Sequence, residues 1–113
     1  MSFFDSEIVR AEMAEISELQ EDVYGQIMKF QYMNYDDKAH HINLLERLLN
    51  KQKVLYARLS LSDDPEAKRM KQEIARSATL MGLPSNVDVS VLFNQMAQMV
   101  DLMKKQLDAN QVD

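Results

Sequence analysis

The residues able to do chemistry are few and badly placed for it. His40 and His41 are the only histidines, and there is no cysteine. Neighbouring residues on a helix point about 100° apart, so two adjacent imidazoles cannot readily hold one metal ion. Asp37 and His40 have the spacing of an acid–histidine metal pair, but a di-iron bundle wants Glu-x-x-His twice plus two further glutamates. Both histidines therefore read as solvated residues near a helix end. Asp63 and Asp64 are adjacent carboxylates, and beside Pro65 a turn and a helix cap explain them. Ser60 and Ser62 lack a candidate base nearby. The sequence has no phosphate loop, no glycine-rich dinucleotide turn, and no Ser–His–Asp or Cys–His set. No catalytic, cofactor-binding or metal-ligating residue is expected, and the chain reads as a non-enzyme.

The elements that position these residues are helices. With 2 glycines and 2 prolines in 113 residues, long stretches run without a breaker. The length fits one domain, read here as 1–113 with a frayed polar tail over 109–113. Val9, Met13, Ile16, Leu19, Val23, Ile27 and Phe30 make one stripe of a first helix, from near Asp5 or Ser6 to about Phe30. Gly25 inside it would allow a bend or a close helix crossing. Glu12 lies nearer the apolar stripe than its acidic neighbours and reads as a rim residue whose head reaches water. Asn34 with Asp37 three residues on resembles a helix-start box, so a short link folds the second helix back as a hairpin.

The second helix runs from about Tyr35 to Leu59. Ile42, Leu45, Leu49, Gln52, Tyr56 and Leu59 form a heptad seam, and Leu44, Leu48 and Leu55 a second line beside it. That arc is too wide for one neighbour, so this helix is either central or shared between a core and an interface. The third helix is predicted over about Pro65–Met81 with Asp64 as cap and Gly82 as stop. The fourth starts at Asp88 or Ser90 and runs to about Leu107, with Leu92, Met96, Met99, Met103 and Leu107 as its stripe, read as core in preference to a groove for a partner helix. The fold class is all-α: four helices, a long antiparallel hairpin of the first two, and two further helices packed on it.

Net charge is −5, unevenly spread. Residues 1–37 hold nine acids and two bases, whereas residues 38–58 hold one acid and five bases. The two segments could attract each other as an antiparallel pair, or both could be solvated faces. Lys38, Arg47, Lys51 and Arg58 could form a basic strip, but an acidic chain without tryptophan argues against direct nucleic-acid binding. No apolar run approaches a membrane span, and the N-terminus lacks the form of a signal peptide, so the expectation is cytoplasmic. The candidate partner-binding residues are the acids Glu15, Glu18 and Asp22 on the first helix and the surplus apolar residues Leu44, Leu48 and Leu55 on the second.

Five strings carry a resemblance: FFDSEIV at 3–9, ISELQ at 16–20, HINLLERLL at 41–49, LSLSDDPEAK at 59–68 and MGLPSNVDV at 81–89. As a set they resemble a small, all-helical cyanobacterial family of unknown function, over nearly the whole chain. The resemblance implies a cytoplasmic helical protein from a cyanobacterium or its phage, and an association with inhibition of the RNA-degrading ribonuclease E. It assigns no functional residue. The expected function is a protein-interaction module that regulates a larger partner. A structural homodimer or assembly subunit is the alternative, and a metal-dependent bundle enzyme a third reading.

Overall fold

Ser6 opens the first helix by accepting the Val9 N–H on its hydroxyl at 3.4 Å. A computed structural model describes residues 2–111. Among them are four α-helices and no strand: α1 Glu7–Gln26, α2 Tyr35–Leu61, α3 Pro65–Leu80 and α4 Val89–Gln111. The all-α class and the hairpin follow the sequence pattern. Asn34 Oδ1 accepts the Asp37 N–H at 2.8 Å to start α2. Asp64 Oδ1 accepts the Glu66 N–H at 2.9 Å to start α3, with Pro65 at the first helical position. Gly82 ends α3 at φ +111°, a conformation that side chains rarely adopt, and the Leu83 N–H reaches back to the Ala78 carbonyl at 3.0 Å. Asp88, rather than Ser90, caps α4, accepting the Ser90 N–H at 2.8 Å. Helix α4 runs past Leu107 to Gln111; residues 112–113 of the expected tail lie outside the described residues.

Two expectations about α1 are corrected. The α-helix stops at Gln26, and Ile27–Tyr32 continue as a 3-10 helix. Three residues per turn instead of 3.6 shift the phase of the stripe. Ile27 is consequently 52% exposed, while Phe30 still turns inward against the Ile42 cluster. Gly25 has no neighbour within 4 Å of where a Cβ would stand, so it marks no close crossing.

Helix α2 is the centre of the molecule. Leu48 and Leu55 are buried against Val9, Ile16, Leu19 and Val23 of α1, and half-buried Leu44 and Leu45 pack on the same cluster. Ile42 and Leu49 pack with Val100 of α4, and Tyr56 with Ala78 of α3 and Val89 of α4. The wide apolar arc is thus divided among three helices of the same chain. Leu44, Leu48 and Leu55 are core residues, not surplus surface for a partner. Each such leucine contributes roughly 1.5–3 kcal/mol by leaving water. Helices α1 and α4 flank α2, and α3 packs towards the C-terminal end of α2. The described residues measure 54 × 32 × 20 Å.

Candidate partner-binding surface

The acids of α1 fall into two groups because the helix turns about 100° per residue. Glu12 and Glu15 point to the edge shared with α2. Glu12 Oε1 accepts from Arg58 Nε at 3.1 Å, and Glu15 pairs with Lys51, with the Arg47 guanidinium 4.0 Å away. The Lys51 ammonium holds the Glu15 carboxyl below its usual range, first by hydrogen bond and then by charge. Glu7, Glu18, Glu21 and Asp22 point outward, are exposed, and make no ion pair among the described residues. Of the three predicted acids, then, Glu18 and Asp22 share a free strip and Glu15 is tied down within the chain.

The opposite charges of the first two segments do attract each other, and three of the four bases of the α2 strip are drawn to two acids of α1 in doing so. Arg47, Lys51 and Arg58 serve α1, and Lys38 lies 5.5 Å over the Phe30 ring. An open groove of about 530 Å³ follows the same face, lined by Glu12, Asn43, Glu46, Arg47, Asn50 and Lys51 among others. Lys104 Nζ, 2.6 Å from Glu46, ties α4 to this face.

Glu12 stands at the rim of the groove, but only part of its head reaches water. Its side chain is 20% exposed, and Oε2 is hidden with no hydrogen-bond partner. The histidines also part company. His40 is exposed, whereas His41 is buried, with Nδ1 3.3 Å from Gln26 Oε1 and its ring 5.2 Å from that of Phe30. Burial, then the charge of His40, lowers the His41 pKa from its ordinary 6.5. Among the described residues no three of His, Cys, Asp and Glu gather as metal ligands. Asp64 proves to be more than a cap. Its Oδ2 accepts the Phe3 N–H, and Ser2 Oγ donates to Glu66 Oε2 at 2.8 Å, so the N-terminal segment is clamped to the start of α3. Those backbone donors, Phe3 first and Glu66 second, hold the Asp64 carboxyl below its usual range. Local patterning gives no signal for a contact 61 residues apart.

The family described as a domain of unknown function, DUF1825, matches residues 1–107. The chain belongs to that family. The DUF1825 match takes in α1, α2, α3 and most of α4, so it covers the acidic strip and the surfaces on both sides of α2. No curated protein and no solved structure matches the chain. Among the described residues no helix is long and apolar enough to cross a membrane.

Proposed function

We propose that the chain is a non-enzymatic interaction module that regulates a larger protein by covering one of its basic surfaces. The observation that carries this reading is the free outward strip of Glu18 and Asp22, flanked by Glu7 and Glu21, on a helix whose other acids are engaged within the chain. A rigid acidic strip steers association with a basic surface and fixes register on it. The resemblance to the cyanobacterial family suggests an RNA-degrading ribonuclease of a cytoplasmic compartment as that partner. A surface that holds RNA must be basic, because it neutralises phosphates. The acidic strip would compete with RNA for it.

The test is cleavage of a single-stranded RNA by the host's purified endoribonuclease, with and without added chain. The wild type should slow cleavage, and Glu18→Lys with Asp22→Lys should weaken that effect about tenfold or more, as should raised salt. Glu15 is left in place, since reversing it would set two like charges against each other inside the hairpin. Undiminished inhibition by a folded double variant removes the strip from the mechanism. No inhibition by the wild type removes the ribonuclease.

A further inference from the structure

Helix α3 is held to the rest of the molecule differently from its three companions. Helices α1 and α2 each bury several whole valine, isoleucine or leucine side chains, and α4 buries Val89 and Val100. The residues that α3 buries are Ala67 and Ala78. An alanine removes a single methyl from water where a leucine removes a whole isobutyl group. The larger apolar residues of α3 are half-buried, as Met70 and Ile74 are, or stand in water, as Leu80 does at 84% exposed. Among the described residues no ion pair joins α3 to another helix, and Lys71 reaches over the Tyr56 ring at 5.8 Å from its centre. The side-chain hydrogen bonds that tie α3 down gather at its start. Ser2 Oγ donates to Glu66 Oε2, and the Phe3 N–H donates to Asp64 Oδ2. An open cleft of about 640 Å³ runs beside both bonds, and another of about 290 Å³ lies between Phe4 and Met70. Side chains therefore do not fill the seam between the N-terminal segment and α3.

We infer that α3 is a hinged flap, which swings off the α1, α2 and α4 layer as a unit while that layer stays folded, and that Ser2 and Phe3 are its latch. Local opening starts where few apolar groups are buried and the hydrogen bonds face water, and α3 meets both conditions. The chain supplies a hinge on each side. Ser62 and Asp64 lie in extended backbone before the helix, and Gly82 at φ +111° begins the link to α4 after it. A few residues at the ends of an element suffice to absorb such a rotation. The layer does not depend on the flap. Neither the Val9, Leu19 and Leu48 cluster nor the Ile42, Leu49 and Val100 cluster contains a residue of α3. Opening bares Tyr56 and Phe93, whose ring centres are 5.7 Å apart, with Val89 beside them. The molecule thus covers an aromatic patch while the latch is shut and offers it when the latch lets go. The latch is sensitive to charge as well. Ser2 stands among the carboxylates of Asp5, Asp64 and Glu66, so a negative charge on its side chain would be repelled. The flap stands independently of the acidic strip of α1 and of any ribonuclease.

Hydrogen exchange, followed amide by amide in the whole chain, reads the flap. The amides of α3 from Arg69 to Ala78 should exchange about a hundredfold faster, or more, than those around Leu48 and Val100. Ser2→Asp keeps an oxygen to cap the Phe4 N–H but sets a new negative charge against Glu66 and Asp64. It should speed α3 about tenfold further and leave the amides around Leu48 and Val100 unchanged. Thiol labelling gives a second reading, because the sequence has no cysteine. Ala78→Cys, on the covered side of the flap, should react with a small thiol reagent about tenfold faster when Ser2→Asp is added. Val100→Cys should react at one rate with or without Ser2→Asp. Exchange of α3 in step with α2 would mean that the helices open together and would overturn the flap. A Ser2→Asp variant that leaves α3 unchanged, or that quickens labelling at positions 78 and 100 alike, would overturn the latch.

Discussion

Glu12 is the residue whose surroundings ask most of it. One carboxylate oxygen meets Arg58, and the other is hidden without a partner. A hidden, half-satisfied carboxylate depends on its single cation more than an exposed pair does. Arg58→Leu should therefore cost about 1–3 kcal/mol in urea unfolding, and adding Glu12→Leu should recover part of that. The Lys104–Glu46 pair, with both side chains more than a third exposed, makes the natural control, and Lys104→Leu should cost less than about 1 kcal/mol. Equal costs for Arg58→Leu and Lys104→Leu would mean that the Glu12 pair is an ordinary surface contact.

At the scale of elements, the boundaries legible in the sequence are those written in local chemistry. Asn34, Asp64 and Gly82 each act where their backbone bonds require. What was not legible depends on who faces whom. The width of the α2 arc was visible, but periodicity does not say whether a partner or the same chain fills it, so Leu48 and Leu55 read as surface. Met99 kept the spacing of the α4 stripe, yet it stands beyond the flank of α4 that meets α2, and Val100 and Val89 take the buried positions. His41 is buried where the 3-10 turn brings Phe30 beside it, a switch of helix type whose one local mark is Gly25 two residues earlier. For the candidate site the outcome is similar. Glu18 and Asp22 read correctly as outward acids, while the engagement of Glu15 required knowing where Lys51 lands. Gly25 belongs to this scale as well. It is exposed, helical and without neighbours, so Gly25→Ala should raise stability by up to about 1 kcal/mol, read as a higher urea midpoint. A loss would mean that the switch to the 3-10 turn needs the glycine.

The pH dependence of stability belongs to the whole molecule, since folded and unfolded chains compete for protons. Burial lowers the His41 pKa from 6.5, so the unfolded chain takes up that proton first. Stability should be level above about pH 7.5 and fall as the pH drops through 6.5. Glu15, Asp64 and Asp88 are all held below their ordinary values of 4.5, 3.8 and 3.8, so a second loss should follow as the pH falls below those values. In melting curves from pH 8 to pH 3, His41→Gln should remove the first step and keep the second. A first step that survives the substitution would put its origin elsewhere. The central place of α2 has a further consequence, for the order in which the chain is made. A ribosome releases α1 and α2 before α3 or α4 exists. The hairpin can then close over Leu48 and Leu55 with Phe30 beside Ile42, but Leu49 lacks Val100 until α4 emerges, and Tyr56 gains Ala78 from α3 before it gains Val89. For that interval the nascent hairpin carries a bare apolar flank, and α4, the last of the four helices described, is the one that shields it.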